Sequence, residues 1–391
     1  MSDIIYQRII SFANNMKVAF ISCHSFDKPG GVKNHILGLH KEFKKRGVQS
    51  KIIAPRRLAS ENYGKDVILL GTSFPLRFSG SQGDLDINFN PLAIESCLKK
   101  EKFDVLHFHN FGFPSALQIL ERSKSMNILT FHADLSGSGI VRTFPQIVKL
   151  INKIVQWKID GIIGVAPLIL KIFKDYKGPK VLIPNGVDLD EFNPKVKPVK
   201  KFKKPRNKIN ILFVGRIEER KGLIYLLKAY QILEKKYSNL RLIVVGKGPL
   251  MEQSQNFVKE NNLKDVHFEG EKKGSKEVAR YFNTADIYCS PAIFGESFGI
   301  VLLEGMACRK PVVGFSNKGY KQLLEGTKGS KFLARPRDYK GLAKILEKLI
   351  KSKKLRKEMG EWGLKHVQKY SWKRIAGQVL DFYKLCQKKS R

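Results

Sequence analysis

Short β-branched runs alternate with longer amphipathic ones along this chain, the order expected of strands alternating with helices around parallel sheets. KVAFIS (17–22) reads as a strand, followed by the loop CHSFDKPGG. A helix is predicted from about Val32 to Arg46, with Val32, Ile36, Leu39 and Phe43 on one face and Gly47 as its stop. A second strand, SKIIAP, follows, and further strands are expected at 104–109, 127–132, 161–166 and 180–185. PKVKPVKKFKKPRNK (194–208) has three prolines and no acidic residue, so it reads as an exposed linker or long surface loop.

The pattern then restarts. INILFVG (209–215) reads as a strand, and GLIYLLKAYQILEKKY (222–237) as a helix with an apolar stripe. Strands are expected at 240–246, 265–270, 286–291 and 310–316, and the segment 370–386 is helical in period. Two strand–glycine loop–helix beginnings, at 17–46 and 209–237, predict two Rossmann-like domains in tandem, 1–190 and 209–372. A basic linker, 191–208, joins them, and the last helix, about 373–391, is expected to pack back on the first domain. In this α/β arrangement a ligand is expected in a deep cleft between the domains, at the carboxyl ends of the strands.

Length fits this division, since 391 residues suit two domains of roughly 150–200 residues each. No run approaches the roughly 20 apolar residues of a membrane span. Gln7 and Arg8 interrupt the apolar stretch at the start, which argues against a signal peptide and for a cytoplasmic location. The five cysteines (Cys23, Cys97, Cys289, Cys308, Cys386) are scattered and never spaced as CxxC, against both a disulfide framework and a zinc site. A formal net charge of +37 attracts polyanions: nucleic acid, anionic lipid head groups or phosphorylated substrates. No helix-turn-helix, zinc-finger or RNP pattern is present, so nucleic acid is not expected as a partner.

The strongest local signal is GESFGIVLLEGMA (295–307). A helix predicted to begin near Phe298 would present its first unpaired amides and positive dipole end to an anion, a seat for a diphosphate. Glu296 lies just outside it and can accept from sugar hydroxyls; Glu304, about two turns in, can reach a ribose diol. GRIEERKG (215–222) places Arg216 and Lys221 in the loop after a strand, where fixed cations would stabilise a leaving nucleoside diphosphate. In SFDKPGGVKNH (25–35), Gly30 and Gly31 allow close backbone approach by a ligand, or simply form a tight turn before a helix. Asp27 is a candidate acceptor-side group. His132, ending a predicted strand, could hydrogen-bond the donor sugar or carry a proton near neutral pH, whereas His107 and His109 read better as core histidines. Two D-x-D triplets, Asp84-Leu-Asp86 and Asp188-Leu-Asp190, sit in no evident carboxylate-lined pocket, so no metal is expected.

Taken together, GGVKNH, FDVLHFH, TFHADL, PNGVDLDEF, FVGRIEERKG, VVGKGP, ADIYCSP and ESFGIVLLEGMA resemble family 4 of the retaining glycosyltransferases, from about Lys17 to the C-terminal helix. SFDKPGGVKNH with ESFGIVLLEGMA is especially similar to the bacterial phosphatidylinositol mannosyltransferases. The resemblance implies a GT-B fold and metal-independent transfer with retention from GDP-mannose, at the inner face of the membrane and with no cofactor beyond this donor. It implies that Arg216 and Lys221 hold the diphosphate, with the amides of Phe298, Gly299 and Ile300, and that Glu304 holds the ribose. Glu296, His132 and the Gly30-Gly31 backbone would hold the sugar, while Asp27 and His35, on the first helix, face the acceptor. The acceptor hydroxyl would attack from the face the diphosphate leaves, passing its proton to a departing phosphate oxygen. The loop 216–221 is one residue shorter than in those relatives, and EKKGSK after Gly270 is more charged, which leaves guanine or uracil open as the base. The alternative is a family 4 transferase using a UDP-sugar and a soluble or polysaccharide-precursor acceptor. A peripheral membrane contact would draw on Lys41, Lys44, Lys45, Arg46, Arg56 and Arg57 and an apolar face of Ile4, Ile5, Ile9, Ile10 and Phe12.

Overall fold

A computed structural model describes residues 16–27, 30–78, 81–110, 114–132, 146–202, 205, 207–296 and 298–389. The apolar face expected at Ile4–Phe12 lies outside them. The chain divides into unit 1, Met1–Gly186 with Trp372–Arg391, and unit 2, Val187–Ser371.

Unit 1 carries β1 (Lys17–Ser22), β2 (Gln49–Arg56), β3 (Val67–Phe78), β4 (Ser81–Ile87), β5 (Val105–His109), β6 (Met126–Phe131), β7 (Gly161–Gly164) and β8 (Lys180–Leu182). They form one sheet in the order β4-β3-β2-β1-β5-β6-β7-β8, parallel except for the β3–β4 edge pair. Its helices are α1 (Gly31–Lys45), α2 (Pro91–Glu101), α3 (Ser115–Arg122), α4 (Gln146–Lys158) and α5 (Pro167–Ile172). Successive β1 residues bury on opposite faces: Val18 and Phe20 in one core, Ala19 and Ile21 in the other. That continuous apolar run is what a strand covered on both sides requires.

Unit 2 carries β9 (Ile209–Val214), β10 (Leu240–Val245), β11 (Val266–Phe268), β12 (Ile287–Ser290), β13 (Val312–Phe315) and β14 (Leu333–Ala334). All are parallel, in the order β11-β10-β9-β12-β13-β14. Its helices are α6 (Leu223–Glu234), α7 (Met251–Glu260), α8 (Ser275–Thr284), α9 (Ile300–Ala307), α10 (Lys318–Leu324), α11 (Tyr339–Lys351) and α12 (Lys353–Val367). The final helix, α13 (Trp372–Lys389), belongs to unit 1 and buries Ile375, Ala376, Val379, Leu380, Phe382, Tyr383 and Cys386 beside α1.

The basic stretch 194–208 is not the exposed linker its composition predicts. Val199 and Phe202 are buried in a core of unit 2, and Lys201 pairs with Glu269 at 2.7 Å. Arg241 lies 5.4 Å over the Phe202 ring, so two apolar residues among many cations anchor the whole segment.

Candidate active site

In each sheet the strand order reverses at one point, between β1 and β5 in unit 1 and between β9 and β12 in unit 2. The crevice at the carboxyl ends of such strands is where doubly wound sheets hold ligands. The candidate residues sit at those ends.

In unit 2, β9 runs into the loop 215–222 and α6. Gly222 has φ +68°, and a Cβ there would fall 2.1 Å from the Pro291 carbonyl oxygen, so only glycine lets this loop lie against the end of β12. That contact carries the cations to Glu296. Lys221 Nζ forms an ion pair with Glu296 Oε1, and Arg220 Nη1 lies 3.4 Å from the same oxygen. Arg220 also donates to the Gly295 carbonyl at 3.4 Å. Arg216 is instead 47% exposed and pairs with Glu218 at 3.3 Å. Of the two cations singled out in the sequence, the structure brings Lys221 to Glu296 and ties Arg216 within its own loop. Arg220, inside the same motif, was passed over because the four adjacent charged residues 218–221 cannot be ranked without the turn that orients them.

The helix after Glu296 begins at Ile300, two residues later than predicted, because Gly299 caps it with φ +99°. A Cβ at Gly299 would lie 2.8 Å from Tyr320 Cδ1, so strain and collision both exclude a side chain. Tyr320 is fixed in turn by Ser290 Oγ at 2.6 Å and by its own N–H donating to Asn317 Oδ1 at 2.9 Å. Phe298 is buried, and the first amides of α9 have no intrahelical partner by helix geometry. Glu304, in the second turn, is pushed up to about 8 by loss of water, with the Lys221 charge acting in the opposite direction.

Unit 1 places four histidines together. His109 ends β5, His132 follows β6, His107 points from β5, and His35 comes from α1. His109 Nδ1 lies 3.2 Å from His132 Nε2, and His35 Nδ1 lies 2.8 Å from Asn185 Oδ1. The His35 ring packs edge-on to His132 and to Trp372, with centroids 4.7 and 5.0 Å apart. His107 is bridged between Thr130 Oγ1 and the Tyr383 hydroxyl, each at 2.6 Å, whereas buried His109 Nε2 has no hydrogen-bond partner among the described residues. Burial, and secondarily the neighbouring imidazoles, hold His107, His109 and His132 well below the usual histidine range. His35 is pushed down to about 4 by burial, against the Asn185 hydrogen bond. All four are therefore neutral at neutral pH, which removes the expectation that His132 carries a proton there. Asn185 and Trp372 were not singled out in the sequence; Asn185 lay within PNGVDLDEF, and Trp372 gave no signal.

Asp27 forms an ion pair with Arg57, whose Nη1 reaches both carboxylate oxygens at 3.0 and 2.9 Å. Gly30 is extended (φ −169°), and Gly31 opens α1. A Cβ on either would meet nothing within 4 Å, so neither a turn nor internal packing asks for glycine.

Among the described residues, His35, His109 and His132 could together face a metal ion, with ligand nitrogens within 4.8 Å of one another. These include the His109 and His132 nitrogens that already face each other at 3.2 Å. Asp188 Oδ1 accepts from the amides of Asp190 and Glu191 at 3.0 and 3.2 Å, so this triplet builds a turn. Asp86 is buried on β4.

Residues 29–191 match glycosyltransferase family 4, and residues 195–366 match the glycosyl transferases group 1. The phosphatidyl-myo-inositol mannosyltransferase of Mycobacterium leprae is 30% identical over 378 residues, covering 94% of this chain and 96% of that protein. Its namesake from Mycobacterium tuberculosis H37Rv is 30% identical over 382 residues, with 94% and 96% covered. Among solved structures, sucrose-phosphate synthase from Thermosynechococcus elongatus superposes with TM-score 0.74 at 19% identity, covering 95% of this chain and 99% of that one. Anabaena HepE, solved with UDP and glucose, gives TM-score 0.71 at 20% identity, covering 95% and 100%.

Proposed function

The chain belongs to glycosyltransferase family 4, and from that premise we propose that it moves a hexose, mannose from GDP-mannose being favoured, to a hydroxyl of a phosphatidylinositol-type or other anionic lipid. Its fold is GT-B, built of two Rossmann-like units. The observation that carries the reading is the convergence of Lys221 and Arg220 on Glu296, immediately before the glycine-capped start of α9. A diphosphate at this helix start competes with Glu296 for the two cations, and the freed carboxylate accepts from sugar hydroxyls. Arg216 is the third cation available to the diphosphate, and Glu304 accepts from the ribose.

Transfer proceeds with retention. The acceptor oxygen attacks from the face that the diphosphate leaves, its proton passing to a departing phosphate oxygen, while the protein positions the groups and stabilises charge. His132 contributes a neutral imidazole to the sugar, and the open space beside Gly30 and Gly31 suits close approach of a ligand to the backbone. Asp27 and His35 serve the acceptor. No metal takes part; the cations of the 216–221 loop supply the positive charge. The relatives' name, phosphatidyl-myo-inositol mannosyltransferase, supports the choice of sugar and acceptor.

Glu296→Gln and Lys221→Ala are each expected to lower transfer at least about tenfold, the loss of one contact of roughly 1.4 kcal/mol in the transition state. Near-normal turnover in both would overturn the assignment. Thermal shifts against GDP-, UDP- and ADP-sugars, followed by product analysis with lipid and soluble acceptors, separate the GDP-mannose reading from a UDP-sugar one.

A further inference from the structure

No helix among the described residues is long and apolar enough to cross a membrane, so a lipid acceptor has to be met at the bilayer surface. The cations that the sequence offered for that contact are largely engaged within unit 1. Lys44 pairs with Asp66 at 2.6 Å, Lys45 with Glu42 at 2.9 Å, Arg57 with Asp27, and Arg46 donates to the Lys373 carbonyl. Another face of unit 1 leaves apolar and basic side chains exposed.

Helix α4, QIVKLINKIVQWK, contains no acidic residue. Ile151 and Val155 bury one side of it in the unit 1 core. About a third of a turn round the helix from them, Leu150 is 52% exposed and Trp157 59% exposed. They are seven residues apart, two helical turns, and so share a face, with half-buried Ile154 between them. Lys149 and Lys153 are exposed along one flank of this stripe. Lys158 lies on the other, its Nζ over the Trp157 ring at 5.4 Å and donating to the Glu121 carbonyl, so it is engaged within unit 1 like the cations above.

We propose that the Leu150–Trp157 face of α4, flanked by Lys149 and Lys153, docks the protein on an anionic lipid bilayer. A tryptophan ring partitions to head-group depth, a leucine beside it reaches the acyl boundary, and flanking lysines keep their ammonium groups among the anionic heads. The charge balance selects this occupant: the helix has no carboxylate to answer a basic partner, and the chain carries +37 overall. The inference rests on the lipid-acceptor reading above and gives that reading its point of attachment.

The test is co-sedimentation of the full chain with phosphatidylserine-containing vesicles and with phosphatidylcholine vesicles, at low and high salt. Wild type is expected to bind the anionic vesicles and to lose binding in salt. Leu150→Ser with Trp157→Ser is expected to lower partitioning at least about tenfold. Lys149→Glu with Lys153→Glu is expected to lower it by about fivefold per lysine and to erase the preference for anionic lipid. Leu385→Ser, an equally exposed apolar site on α13, is expected to bind as wild type. Unchanged binding in both double variants, or equal loss in Leu385→Ser, overturns the proposal. So does sedimentation velocity showing that the α4 variants instead dissociate a dimer. Thermal shift by a nucleoside diphosphate, measured on every variant, keeps this result separate from the donor site. If wild type shows no such shift, the transferase reading fails whatever the vesicles do; a retained shift with no vesicle binding sinks only the docking face.

Discussion

The strand ends of unit 1 and unit 2 gather polar side chains in opposite ways. Unit 1 gathers His35, His107, His109 and His132 and strips them of charge by burial. Unit 2 gathers Arg220, Lys221 and Glu296 and keeps them as a charged cluster. The difference teaches that the two ends offer different chemistry. Neutral imidazoles exchange hydrogen bonds with hydroxyls without attracting ions, whereas a cation pair beside a helix start suits an anion whose charge grows as a bond breaks.

The largest effect should come from reversing charge at one end and deleting a neutral contact at the other. Lys221→Glu is expected to lower kcat/KM by about a thousandfold, and His132→Gln by about tenfold, in a steady-state assay. Equal losses would break the contrast. Next comes the rigidity of the anion seat: Gly299→Val, strained at φ +99° and pressed against Tyr320, is expected to cost about 3 kcal/mol by denaturant melts. A cost below about 1 kcal/mol would show a cap that relocates easily.

Glu304→Gln sharpens the charge argument. A carboxyl raised to about 8 in the folded chain stabilises least where the unfolded chain is ionised. Relative to the glutamine variant, wild type therefore loses stability as pH rises from about 4.5 through 8, by about 4 kcal/mol at pH 8. Melting curves of both proteins across that range check it, and parallel curves would place the ionised form in the fold. For unit 1, the rate is expected to show no inflection near pH 6.5, since the four imidazoles are neutral well below it; a bell centred there would show one of them titrating. The smallest effect is none at all: incubation with EDTA is expected to leave transfer unchanged, and lost activity restored by a divalent ion would redirect attention to His35, His109 and His132.

How far these features were legible depended on whether neighbours in sequence decide them. β1 falls on the predicted KVAFIS, and α1 and α6 fall within a few residues of their apolar stripes, since local period alone sets them. The β3–β4 edge pair was missed because Gly71 and Pro75 interrupt a strand that only its neighbours stabilise. The stretch 194–208 was misjudged because Val199 and Phe202 find their partners far away in sequence. At the candidate site, motif spacing pointed to Glu296, Lys221 and His132, and burial then changed what His132 can do. Trp372 reaches His35 only through the return of the last helix to unit 1, which no local pattern announces.

The chain passes between the units twice, at Gly186–Val187 and at Ser371–Trp372, and the Val187 amide donates to the Tyr370 carbonyl at 2.9 Å. Unit 2 is thus one uninterrupted stretch with its ends side by side, an insert within unit 1. On the ribosome this inverts the usual order of completion: unit 2 has its full complement of residues before unit 1 does. The first-made sheet waits for α13, synthesised only after the whole of unit 2, to close its core around Ile375, Val379 and Tyr383.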